Sequence, residues 1–262
     1  MTRTLCIVAV TLLTGCSNMK TDMPVLGLVD RVERAHGADR WYSHDAVAAH
    51  IDVGFGGGKV VSGTFTFDPA VGKVRAELDN GTTIVFDGKT CWVAPADSDF
   101  PGARFHVLTW PYFAATAFKL DDPGAQVRPL DEPLEYNGKP HLGAKLTFSP
   151  GTGDAPDDWY ILYVDPDNHW LRAMAYIVTY GKDGNKLAEA KAEPHAIVYD
   201  DYVRIGGALV SRRWTFYHWS QEAGIHGDPM GHVSLSNIRF VTPDEDTFIA
   251  PPGAREESLP GS

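Results

Sequence analysis

Residues 105–120 read FHVLTWPYFAATAFKL, a run that is apolar nearly all round. Pro111 suits the first turn of a helix and Ala114, Ala115 and Ala117 favour its continuation, so the run predicts a helix over residues 110–119. A helix without a polar face is either sealed in a core or laid across an apolar surface that water would otherwise reach. The segments on either side decide what it packs against.

Both flanks read as strands. Before the run, Val47, Ala49, Ile51, Val53 and Phe55 alternate with smaller or polar residues, and Val61, Gly63, Phe65 and Phe67 resume the alternation after the glycines of GFGGGK. Val74, Ala76 and Leu78, then TTIVF ending at Phe86, then TCWVA after the turn Asp87-Gly88-Lys89, extend this into an antiparallel meander. After the run, residues 141–148, 159–164, 170–180, 187–199, 208–219 and 232–241 are rich in aromatic and β-branched side chains. DPDN at 165–168 and KDGN at 182–185 supply turn chemistry between them. Long antiparallel strands with one apolar face need a cover. The predicted fold is therefore mainly β with helices (α+β): a curved antiparallel sheet, an incomplete β-barrel, wrapping helices.

A second helix is expected near the start, where Val25, Leu28, Val29 and Val32 repeat at helical spacing between Pro24 and Gly37. Ahead of it, Arg3 precedes an apolar run of nine residues, 5–13, well short of the roughly 20 that cross a bilayer. A basic start, a short apolar run and small Gly15 are the layout of a secretory signal peptide. Leu13-Thr14-Gly15-Cys16 resembles the bacterial lipobox, whose cysteine is acylated and becomes the first mature residue. The expected organisation is a signal peptide over 1–15, an acylated Cys16 and tether over 16–23, one domain over 24–250 and a disordered tail over 251–262. By the same resemblance Ser17 favours the outer membrane, with the body facing the periplasm.

The formal net charge of −11, without any Lys/Arg run, argues against a nucleic-acid partner. With Cys6 in the signal and Cys16 acylated, Cys91 stands alone in an apolar stretch and reads as a buried thiol. GFGGGK lacks the spacing of a phosphate loop and has no helix after it. His226, Asp228 and His232 are expected in one glycine-rich loop that could hold a metal, but their spacing matches no zinc pattern. Asp165-Pro166-Asp167-Asn168 has calcium-type oxygens without the later glycine and glutamate of an EF-hand, so it reads as a turn. No GxSxG elbow is present, and His218 between Tyr217 and Trp219 reads as a packed strand residue. No catalytic residue and no cofactor is expected. Twelve Phe, ten Tyr and seven Trp are enough either to fill a core or to line a cavity.

In order along the chain, the lipobox, a helix ending in His36-Gly37, FDGKTCWV at 86–93, an apolar helix and YVDPDNHWLRAMAY at 163–176 resemble the LolA/LolB-like family of periplasmic lipoprotein carriers. The resemblance implies a half-barrel whose helices close an apolar cavity for acyl chains. Two features depart from the soluble carriers, greater length and the anchor, and the anchor is more like the membrane-bound acceptor. The functional expectation is a non-enzymatic, membrane-anchored lipoprotein binding an acyl chain, a lipid or a lipoprotein's lipid. Phe65, Phe67, Trp92, Trp110, Phe113 and Phe118 are the expected cavity-lining residues. A cell-envelope scaffold with a filled core, and an enzyme on the same fold, are the alternatives.

Overall fold

A computed structural model describes residues 27–259. Cys16, the tether to residue 23, and Pro24 and Val25 lie outside the described residues. The described chain forms one antiparallel sheet that is not closed into a barrel, with its first three helices packed into its core face.

The first half supplies α1 (Leu28–His36), α2 (Ala38–Trp41), β1 (Ala46–Phe55), β2 (Gly58–Phe67), β3 (Val74–Leu78), β4 (Thr83–Phe86) and β5 (Cys91–Ala94). Next come α3 (Ala103–Ala115) and a 3-10 turn over Thr116–Phe118. The second half supplies β6 (Ala125–Pro129), β7 (Leu134–Tyr136), β8 (Lys139–Phe148), β9 (Tyr160–Val164) and β10 (Leu171–Tyr176). Helix α4 (Gly184–Ala192) precedes β11 (His195–Ile205), β12 (Ala208–Ser220), β13 (Gly224–Val241) and β14 (Arg255–Glu257). Sheet order is β14-β5-β4-β3-β2-β1-β13-β12-β11-β10-β9-β8-β6, with β7 pairing only β8. The long strands β1 and β13 therefore join the two halves at mid-sheet, and the open gap lies between the β14/β5 and β6/β8 edges.

The period-two alternation translates directly into faces. Val47, Ala49, Ile51 and Val53 of β1 and Val61, Phe65 and Phe67 of β2 enter the core, while His50, Asp52 and Thr64 face outward. Gly56 and Gly57 both have positive φ, 57° and 79°, and close the β1–β2 hairpin in the two-residue geometry that matches strand twist. The motifs that carried the family resemblance are turn devices. Asp87 accepts bonds from the Lys89 and Thr90 amides (2.9 and 2.8 Å) and from Trp92 Nε1 (2.9 Å). Asp165 does the same for the Asp167 and Asn168 amides (3.0 and 3.2 Å) and pairs with Arg172.

Four local expectations need correction. The apolar helix spans Ala103–Ala115, starting seven residues before the expected position and tightening to 3-10 geometry by Thr116. Pro111 thus sits inside it rather than in its first turn, and the helix start is set by Gly102 in the left-handed region (φ 67°). The stretch from 187, expected to begin a strand, is helix α4. Its alternating alanines at 188, 190 and 192 mimic a two-residue period, but alanine, leucine, lysine and glutamate are helix formers, and Pro194 stops the helix before β11. His226, Asp228 and His232 lie within strand β13, not in a loop. Finally, the tail expected to be disordered adds β14, pairing Arg255–Glu257 with Val93, Trp92 and Cys91. An edge strand presents unpaired amides and carbonyls, and a segment passing beside β5 satisfies them.

Candidate ligand cavity

Helix α3 crosses the concave face and does not fill it. Its N-terminal half is held by Arg104, buried at 8% exposure, whose guanidinium makes a two-pronged pair with Asp154 (Nε to Oδ2 2.6 Å, Nη2 to Oδ1 2.9 Å) and lies 4.9 Å over Phe86. Further along, Trp110 and Phe113 insert among Phe216 and Tyr176, and Tyr199 donates its hydroxyl to the Phe113 carbonyl (3.1 Å). At the end of the helix Phe118 stacks on Trp41 of α2, centroids 4.3 Å apart and planes within 6°.

Between the middle of α3 and the ends of β8, β9 and β10 lies a cavity of about 320 Å³. Its apolar wall includes Phe86, Phe105, Leu108, Phe113, Phe148 and Val178. Residues from both free ends of the sheet contribute, Phe86 from β4 and Ala125 and Phe148 from β6 and β8, so the cavity occupies the unclosed gap. Ligand pockets run from about 300 to 1,000 Å³ and are mainly apolar with a few polar groups. This one is at the small end, the scale of a single-chain ligand. Two further hollows beside α4 mix apolar side chains with charged residues and histidines, including Lys182, Lys186, Glu189, His195 and His218.

The polar groups of the cavity come from three directions. Tyr112 projects from α3, while Tyr160 and Tyr176 are direct cross-strand partners on β9 and β10, with Tyr112 and Tyr160 ring centroids 5.9 Å apart. Burial holds all three phenols above their usual range, so they are neutral donors. Asp158, just before β9, accepts at Oδ1 both the amide and the hydroxyl of Thr179, each at 2.7 Å. Burial outweighs those bonds and pushes its carboxyl up to about 6, leaving it ionised at neutral pH. Near the rim, Lys119 pairs with Asp122 and donates to the Ala70 carbonyl at 2.5 Å.

Of the six expected lining residues, Phe113 borders the cavity. Phe65, Phe67 and Phe118 are buried in the core at 0–1% exposure and Trp110 at 4%, and none of the four is among the residues bordering this cavity. Trp92, half-buried, anchors its indole N–H on Asp87 at the far side of β5. The sequence reading missed Tyr112, Tyr160, Tyr176 and Asp158. Tyr160 and Tyr176 were legible as apolar strand positions, but alternation is the same for a residue that lines a cavity and one that fills it.

The expected weak metal group does not assemble. His226 bonds its own strand's Gly224 carbonyl through Nδ1 (3.0 Å), whereas His232 stands opposite Gly54 of β1. Among the described residues, the His/Cys/Asp/Glu group whose ligand atoms lie within 4.8 Å of one another is His50, Asp52 and Asp79, on the outer face of the sheet. There Ser62 Oγ lies 2.6 Å from Asp52 Oδ1 and 2.5 Å from Asp79 Oδ2, with one proton to donate between them, and Lys59 pairs with Asp52 at 3.2 Å, so the cluster carries its own internal partners. Cys91 is fully buried, and burial pushes its thiol up to about 12, which makes it unreactive.

No protein-family model and no curated protein matches the chain. Solved structures do. A LolA superfamily protein from Nitrosomonas europaea is similar over 85% of this chain and 98% of its own, with a TM-score of 0.53 and 10% identity. An outer membrane lipoprotein-sorting protein domain from Vibrio parahaemolyticus is similar over 84% and 95%, with a TM-score of 0.51 and 9% identity. A DUF1329 family protein from Desulfovibrio piger covers the same shares, with a TM-score of 0.52 and 13% identity. The open antiparallel sheet around its helices, and its similarity to these structures, give the chain a LolA-like fold.

Proposed function

We propose that the protein is a lipid-anchored lipoprotein of the cell envelope that binds an apolar chain in the cavity between α3 and β8–β10, without covalent chemistry. The observation that carries this reading is the cavity itself: an apolar space of about 320 Å³ left open in the gap of the sheet, under a mainly apolar helix whose Arg104 is paired with Asp154. The LolA-like fold agrees with it, since one neighbour is described as a lipoprotein-sorting domain. Export and anchoring rest on Arg3, the short apolar run and the lipobox ending at Cys16. The same cavity supports this reading over that of a scaffold, whose half-barrel would be filled by its own side chains.

The test uses the full-length chain with Cys16→Ser, which removes the protein's own acyl groups. N-phenyl-1-naphthylamine, a neutral apolar fluorophore, should give a saturable blue-shifted signal at one site. Leu108→Trp places a larger side chain into the cavity from the part-exposed face of α3 and should weaken uptake at least tenfold, about 1.4 kcal/mol, with the unfolding temperature retained. Absence of saturable uptake, or uptake indifferent to Leu108→Trp, contradicts the reading.

A further inference from the structure

Buried phenols elsewhere in this core are satisfied: Tyr199 donates to the Phe113 carbonyl and Tyr202 to the Leu171 carbonyl. The cavity phenols are not. Tyr160 and Tyr176 are only 6% and 5% exposed, yet neither hydroxyl, nor that of Tyr112, has a hydrogen-bond partner among the described residues. The hydroxyls are also not sealed in, because among the described residues the one fully enclosed polar side-chain atom without a partner is Nε of Arg31. Their open side is therefore the cavity they line. A phenol oxygen accepts a hydrogen bond as well as donating one, so the three hydroxyls can meet a polar group that enters the space.

The charges around the same space have a definite sign. Arg104 is committed to Asp154 and Lys119 to Asp122, which leaves neither cation free to meet an anion. Asp158 uses Oδ1 for both Thr179 bonds, and its Oδ2 has no protein partner among the described residues. Lys182 is exposed and acts on Asp158 only at a distance, and the neighbouring Asp157 adds negative charge. What remains unpaired at the cavity is one carboxylate and three phenol rings. A carboxylate or phosphate head would face that charge in a weakly screened site, whereas an ammonium would be attracted both by it and by the ring faces.

We propose that Asp158, Tyr112, Tyr160 and Tyr176 form a head-group subsite that takes the protonated amine end of a single-chain amphiphile. The inference rests on the cavity reading above and narrows it to a ligand class. The chain of the ligand lies against Leu108, Phe148 and Val178, and its ammonium bonds Asp158 Oδ2 while the phenols surround it.

The test compares dodecylamine, dodecanol and dodecanoate as competitors of the neutral fluorophore at pH 7.5, on the full-length Cys16→Ser protein. Dodecylamine should compete at least tenfold better than dodecanoate, and the isosteric Asp158→Asn should bring the two within about threefold while leaving dodecanol unchanged. If Asp158→Asn fails to fold, Tyr160→Phe with Tyr176→Phe takes its place and should weaken amine and alcohol together. Equal competition by amine and acid in the parent, a preference that survives Asp158→Asn, or, where the tyrosine pair takes its place, amine competition unchanged by that pair, overturns the head-group assignment but leaves the cavity reading standing. Failure of the fluorophore to bind at all overturns both.

Discussion

At the scale of single residues, His36 shows how a side chain can fix a fold while looking, in the sequence, like a helix end. Its ring is 3% exposed, with Nδ1 3.0 Å from the Leu209 carbonyl and Nε2 3.0 Å from the Leu171 amide. A carbonyl can only accept and an amide can only donate, so the proton is on Nδ1 and the ring is neutral. Burial lowers its pKa to about 4, against about 6.5 in an unfolded chain. The unfolded state therefore binds the extra proton between those values, and stability falls as pH drops from 6.5 toward 4, by up to about 1.4 kcal/mol per unit. His106 is lowered to about 4 by burial and acts in the same sense, while Asp158, raised to about 6, opposes them. Urea unfolding at pH 7.5 and 4.5 should show His36→Gln losing stability at pH 7.5 and having a shallower acid decline than the parent. An unchanged decline would mean that His36 is not the buried neutral bridge. None of this was legible in the sequence, because Leu171 and Leu209 lie 135 and 173 residues away.

At the scale of elements, the strands that the sequence announced are those whose two faces differ. β1 and β2 meet core on one side and water on the other, and their alternation is plain. β9 is buried along its whole length, because Leu134, Tyr136 and Trp219 pack on its outer face, and it reads as a continuous apolar run. The misplaced elements are those whose neighbours override local chemistry. Pro111 reads as a helix start, yet the surrounding aromatic core keeps the helix continuous through it. Arg255–Glu257 has no strand-like composition and is a strand because β5 offers it an edge. Truncation after Ala250 should accordingly expose that edge. A shortened chain should unfold about 4–8 °C lower, as a loss of about 2 kcal/mol does in a domain of this size, and should self-associate more readily in light scattering. Identical melting and scattering would show that β14 does not protect β5.

At the scale of the whole molecule, the sequence carried the architecture further than it carried the site. The open antiparallel sheet wrapping an apolar helix followed from strand periodicity and from the absence of any polar face on residues 105–120, and the structure has that form. Whether the concave face is full or hollow could not follow, because it depends on how far α3, packed against β2–β5 and β12, stands from the ends of β8, β9 and β10. The register decides it: Tyr160 faces Tyr176 across one ladder and Leu146 across the next, which gathers aromatic rings around a space instead of across it. The direct measurement is native mass spectrometry with lipid extraction on exported Cys16→Ser protein recovered from a bacterial periplasm. The account predicts one amphiphile mass per chain, absent from Leu108→Trp. A bare protein mass, with no uptake after incubation with envelope lipids, would contradict it.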